Sequence, residues 1–353
     1  MDLPQYEHVD LTDPGELIAA IPYLLGFHPS RAFILVTFAD EDDAYRLLGV
    51  VGIDLPQPED HVRLAHRFAA GAVQHDATAA ALVVIGEGEP NLPSPLPEPH
   101  LIAAMTHELR AHGLDIVHTV WAAATASASL WRCYGPPEWS GVVPDPAQTA
   151  VAAATVAAGR VTFASRAELL ALLAPDHEPI LRSRAARIHQ LLAETAAQRR
   201  VAGNTATRDS FNAVQAAIDA AHHGHLVLDE PTLTRLGVAL SDDAVRDAHL
   251  AITPANRADA AEQLWIALTK ALPAPYRAEP ALLLAMSAYL RGDGVLAGVA
   301  LGSAEEADPD NLLILLLRMA LGAALPPHVI APDVAEVVVA AEWFIRCPGE
   351  TAS

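Results

Sequence analysis

Apolar residues at Leu17, Ile18, Ile21, Leu24 and Leu25 keep the spacing of one helix face. The segment carries its own start and stop signals. Asp13 suits the N-cap, Pro14 the first helical position, and Glu16 follows three residues after the cap. Gly26 suits the left-handed residue that ends a helix, Phe27 its hydrophobic contact, and Pro29 the stop. The period then changes. Ala32 to Phe38 is a run of strand formers, and beyond an acidic turn at Asp40–Asp43 a second run extends from Tyr45 to Leu55, so the pair predicts a hairpin. Pro58 to His75 predicts a helix and Ala81 to Ile85 a short apolar strand. A Pro-rich loop, Pro90–Pro99, leads into a helix over His100–His112 that Gly113 ends. Ile116–Ala123 and Leu130–Tyr134 predict two further strands. Strands alternating with helices imply a mixed sheet covered by helices, an α/β sandwich.

The strand signal fades past Gly135-Pro136-Pro137 and Val143-Pro144, which places an expected boundary between an α/β domain at 1–140 and an all-α domain at 141–353. Asp145-Pro146, Thr253-Pro254 and Asp308-Pro309 read as caps followed by proline, and Ser165-x-x-Glu168 as a capping box. Ile188, Leu191, Leu192 and Thr195 form one helix face, with Arg184, Arg187 and Glu194 assigned to the other. Roughly eight helices are expected in this half, and the fold class is α+β in two domains. One stretch has a more particular shape. Leu284-Ala285-x-x-Ala288, Gly292-Asp293-Gly294, Ala297-x-x-x-Leu301-x-x-Ala304 and Pro309 resemble a single tetratricopeptide-like hairpin over 281–309. No second copy stands one repeat length away, and such arrays need about three to stabilise one another. The expectation is one repeat-like helical hairpin within a larger helical domain.

Composition narrows the function classes. Hydrophobic residues make up 52% of the chain and aromatics only 5%, so its cores are aliphatic and rich in alanine. The net charge of −21 argues against nucleic acid, whose binding draws on phosphate neutralisation by Lys and Arg, and against an anionic membrane surface. The most apolar run, Leu312–Leu325, is interrupted by Arg318 and falls short of the ~20 residues a membrane span needs. Met1-Asp2-Leu3-Pro4 has neither a basic nor an apolar leader segment, so the cytoplasm is the expected location. Cys133 and Cys347 stand far apart with no CxxC, and no metal site or cofactor is expected from them.

Four residues are singled out as candidate binding residues. His28 sits between a helix and a strand, where α/β proteins place ligand loops, and an imidazole there suits a base or a ligand contact. Helix termination alone accounts for its neighbours Gly26, Phe27 and Pro29. Asp54 closes the second strand before Pro56, the position of many catalytic carboxylates and equally of ordinary turn caps. Arg246 and Asp247 follow Ser241-Asp242-Asp243 at a helix start and read as a buried ordering pair or a ligand contact. His222-His223-Gly224-His225 lacks converging partners and reads as a polar helix end. The stretch Arg160–Arg208 holds eight arginines against four acids, which suits a small anion or a solvated helix face. The elbow, phosphate-loop and zinc-helix signatures GxSxG, GxxxxGK[ST] and HExxH are missing from the sequence.

Three stretches together carry a resemblance: Leu11 to Pro29, Ala158 to Leu169, and the hairpin with Arg291-Gly-Asp-Gly294. In order and content they resemble an actinobacterial family catalogued as domain of unknown function 4192. The resemblance covers most of the chain and implies a lineage and a fold, with no activity attached. It also implies a Cys-containing segment after the last strand of the first domain, and here Trp131–Pro137 carries the single Cys133.

Two function classes follow. The first is an interaction or small-ligand-binding protein that holds a protein partner or a small anion on the repeat-like helices or the arginine segment. It leads because no catalytic constellation is visible. The second is an enzyme with its site at the strand ends of the α/β domain, near His28 and Asp54.

Overall fold

The structure is a computed structural model that describes residues 13–41, 44–135, 139–157, 160–202, 204–250 and 257–322. The expected Thr253-Pro254 helix start, Cys347, Pro136-Pro137, part of the acidic turn and everything expected past 322 lie outside the described residues. Contacts divide the chain into two compact units, one ending at Leu169 and one beginning at Leu170.

The first unit opens with α1 (Pro14–Leu25). The Asp13 carboxylate accepts hydrogen bonds from the backbone N–H groups of Gly15 (2.7 Å) and Glu16 (3.1 Å), and Gly26 ends the helix at φ +74°. Capping of this kind is worth about 1 kcal/mol. Asp13→Ala is therefore expected to lower stability by about that amount, read as a drop in the urea midpoint at unchanged slope.

After α1 come β1 (Ala32–Glu41), β2 (Ala44–Asp54), α2 (His61–Gln74), β3 (Ala79–Ile85), α3 (Pro99–Ala111), β4 (Asp115–Ala122), β5 (Leu130–Cys133) and β6 (Ser140–Val142). The six strands form one mixed sheet in the order β2-β1-β3-β4-β5-β6. Only β3 and β4 run parallel, joined by α3 as a crossover. β3 is buried along its whole length, which is why Ala79–Ile85 shows no polar alternation. Phe33, Leu35, Leu82, Val84 and Trp121 pack against Ala65 and Ala69 of α2 and Leu101, Met105 and Leu109 of α3. Alternate residues of β1 and β2 face the other way: a Cβ on Gly52 would meet Ile34 Cδ1 at 3.0 Å and Leu25 Cδ1 of α1 at 3.1 Å. The sheet is thus covered on both faces, the expected sandwich. β6 is three residues long, too short for a period to announce it.

A 3-10 turn at Pro146–Gln148 precedes α4 (Ala150–Ala157), which packs on α1, and α5 (Arg166–Ala171) follows. Ser165 caps α5 by accepting from Glu168 N–H at 3.1 Å, and Glu168 reaches back to Ala164 N–H at 2.7 Å.

The second unit is helical: α6 (Glu178–Ala202), α7 (Asn204–His222), α8 (Glu230–Leu240), α9 (Asp243–His249), α10 (Ala258–Ala271), α11 (Ala278–Leu290), α12 (Gly294–Ala307) and α13 (Leu312–Gly322). Its core joins Ile188, Val214, Ile218, Leu236, Leu264, Trp265 and Leu282. In the α11–α12 hairpin, fully buried Ala285, Ala288, Ala297 and Ala304 let the two helices approach closely, and Asp293 caps α12 through Leu296 N–H at 3.0 Å.

Two details differ from the expectation. Asp308-Pro309 does not start a helix: Asp308 N–H still donates to Ala304 of α12, and Asn311 Oδ1 caps α13 through Leu313 N–H at 3.1 Å. Arg184, expected on the polar face of α6, is buried. It lies one turn before Ile188 and so shares its face, and its charge is met by Glu230 (2.7 Å), Asp176 (2.6 Å) and the Ala271 carbonyl (2.7 Å). Among the described residues no helix is long and apolar enough to cross a membrane.

Candidate functional site

The antiparallel pairing of β1 with β2 and β3 fixes one end of the sheet. Ala32, at the start of β1, stands opposite Asp54 at the end of β2 and Ile85 at the end of β3, while Ile85 aligns with Ala122 at the end of β4. The carboxyl ends of the parallel strands therefore open onto the same edge as the loop that carries His28. Open α/β sheets bind their ligands at such edges.

The loop is held from several sides. Phe163 N–H donates to the Gly26 carbonyl (2.8 Å) and His28 N–H to the Phe163 carbonyl (3.1 Å), a short parallel bridge between segments far apart in sequence. Arg31 N–H donates to Gly86 (3.1 Å) and the Arg31 carbonyl accepts from Leu55 N–H (2.9 Å), fixing Arg31 at φ +48°. A side-chain-bearing residue persists there only where its surroundings hold it, and such residues cluster at functional sites.

Between these walls lies a cleft of 430 Å³. Leu25, Phe27 and Ile34 give it an apolar floor, and His28, Ser30, Asp54, Ser165 and Arg166 supply its polar groups. Gly52 makes the space, because any side chain there would project toward Ile34 and Leu25. His28 Nδ1 sits 3.1 Å from the hydroxyl of buried Thr125, just past β4. Burial lowers the pKa of His28, so the ring is neutral at pH 7. Asp54 and Arg166 make no side-chain ion pair or hydrogen bond among the described residues, so both charges are available at the cleft.

The structure thus puts His28 and Asp54 on one cleft. Arg246 and Asp247 sit elsewhere, in the second unit, and bind each other. Arg246 is buried and contacts Asp247 (2.7 Å), Asp243 (2.9 Å) and Glu279 (3.4 Å), which ties α9 to α11. Of the arginine-rich stretch, Arg166 reaches the cleft and Arg184 is held within the chain; the side chains of Arg199 and Arg200 lie outside the described residues. His222, His223 and His225 are exposed, and among the described residues no three His, Cys, Asp or Glu side chains group as metal ligands. Two contributors, Gly52 and Thr125, are not singled out by the sequence, and Arg166 is read there only as one arginine of the Arg160–Arg208 stretch. Thr125 lies in a run of small residues with no period.

A family described as "Domain of unknown function (DUF4192)" matches residues 14–328. The chain belongs to this DUF4192 family. The match takes in the cleft and the helical unit through α13. No curated protein and no solved structure matches the chain.

Proposed function

We propose that this DUF4192 chain is a small-ligand-binding protein and that the cleft beside His28 and Asp54 is its binding site. The observation that supports this is convergence: an imidazole, a carboxylate and a guanidinium from three separated parts of the chain line one apolar-floored cleft of 430 Å³. That size lies within the range of roughly 300–1,000 Å³ typical of ligand sites. Binding is preferred to catalysis because, among the described residues, neither Ser30 nor Ser165 of the cleft is hydrogen-bonded to His28. The cytoplasm is the proposed location, on composition.

Native mass spectrometry of protein purified without added ligand, and after incubation with a metabolite extract, tests the reading. Gly52→Val is the space-filling variant; its Cβ would crowd Ile34 and Leu25 at 3.0–3.1 Å, so its binding is read together with its unfolding curve. The expected result is a stoichiometric mass excess in the wild type that Gly52→Val and His28→Ala lose while remaining folded at the temperature of the measurement. An excess that persists in Gly52→Val, or no excess from any extract, overturns the reading. A bound compound released with altered mass would favour the enzymatic alternative.

A further inference from the structure

The hydrogen bond between His28 and Thr125 selects a tautomer. The Thr125 hydroxyl is buried, and its only hydrogen-bond partner among the described residues is His28 Nδ1, 3.1 Å away. If Nδ1 carried the proton and donated, the hydroxyl hydrogen would be left buried with no acceptor among the described residues, an unfavourable arrangement. The arrangement that satisfies both groups has the Thr125 O–H donating to Nδ1. The ring proton then sits on Nε2, and His28 offers the cleft a neutral N–H donor.

The remaining polar groups sort by sign around that donor. Arg166 brings guanidinium donors and a positive charge with no carboxylate partner among the described residues, and Asp54 brings an acceptor and a negative charge with no cation partner among them. Both side chains are exposed and stay charged in water, so the ligand that engages both is one that carries both signs. The apolar floor of Leu25, Phe27 and Ile34 calls for a hydrocarbon portion.

We propose that the cleft takes a zwitterion of the α-amino-acid class with an apolar side chain, its carboxylate held by Arg166 and the His28 Nε2–H, its ammonium by Asp54. This rests on the cleft being a ligand site, and it names the ligand class. Carboxylate and guanidinium match in donor geometry, whereas an ammonium needs a compact negative partner.

Calorimetry with three matched compounds tests the proposal: L-leucine, its decarboxylated amine 3-methylbutylamine, and its deaminated acid 4-methylpentanoate. The charged group that each analogue lacks makes leucine bind at least about tenfold tighter than either. Asp54→Asn should erase its advantage over the acid alone, and Arg166→Gln its advantage over the amine alone, with melting temperatures unchanged. An acid or amine that binds as tightly as leucine overturns the proposal, and so does failure of all three to bind. The two readings fail separately. If the three compounds do not bind but a copurified mass excess disappears in Gly52→Val, the cleft is a ligand site for another chemistry. If no ligand of any kind depends on Gly52, both fall.

Discussion

Arg246→Met is expected to destabilise the helical unit by about 3–5 kcal/mol at neutral pH, the usual cost of breaking a buried ion pair by removing one partner. Burial opposes the charge on Arg246, but Glu279, Asp247 and Asp243 together more than offset it and hold the guanidinium charged. Glu279 is the partner that suffers. Its side chain is 15% exposed, against 83% for Asp243, so Asp243 can return to water and Glu279 cannot. Burial already raises the Glu279 pKa, and Arg246 is the main influence pulling it back down. Without Arg246 the carboxylate would be buried and uncompensated, and its pKa would climb further. The sign follows: a raised carboxyl pKa destabilises the fold where the unfolded chain is ionised, and that penalty fades as pH falls and Glu279 takes up a proton. Chemical unfolding should therefore show a larger deficit for Arg246→Met at pH 7.5 than at pH 5. An equal deficit at both would mean that lost packing, not the stranded carboxylate, carries the effect. Asn311, the cap of α13, also donates to Glu279 at 3.4 Å, so the same change should loosen α13 first in hydrogen exchange.

This residue shows what a single sequence conveys and what it hides. Arg246 and Asp247 were legible as a pair, because acids in a first turn and an arginine one turn on belong to one helix. The third partner, Glu279, is 33 residues away on α11, and no local pattern points to it. The fold was legible wherever signals were local. The Asp13 cap, the Gly26 stop, the β1–β2 hairpin and the small-residue seam of α11 and α12 all follow from neighbours within a few positions. His28 and Asp54 were legible as candidates for the same reason, one at a helix stop and one at a strand end. Their meeting on one cleft was not, since it depends on the register of β1 against β2 and on the bridge from Phe27 to Phe163. Arg184 is the instructive miss. Its charge suggested solvent, but its position one turn before Ile188 placed it inside, and buried charge is tolerated where paired carboxylates converge.

His249 should make the protein acid-sensitive in a defined window. Its ring is almost fully buried between Phe211, 4.7 Å away centroid to centroid, and Trp265, 6.1 Å away. Nδ1 lies 2.7 Å from the Val245 carbonyl, an acceptor only, so Nδ1 carries the proton and Nε2 is left in the apolar core without a partner among the described residues. A second proton on Nε2 would put an unpaired charge there, and burial accordingly pushes the pKa down from 6.5 to about 4. Because the folded-state pKa is depressed, the unfolded chain binds the proton first as pH falls. The stability is complete above about pH 6.5 and is lost progressively toward pH 4, a total of about 3 kcal/mol. Glu262 and Glu279, whose pKa values burial raises, act in the opposite sense, so the wild-type curve alone mixes these effects. His249→Phe separates them, since it keeps the ring and removes the titration. Val245 remains satisfied, because the backbone N–H of residue 249 still bonds to it within α9. Urea unfolding followed by far-ultraviolet circular dichroism, which reports the helices, at about pH 7 and about pH 4.5 should show His249→Phe losing markedly less stability across that interval than the wild type. Equal losses in the two proteins would mean that His249 already carries its proton in the folded core, and the aromatic cluster would then have to admit water.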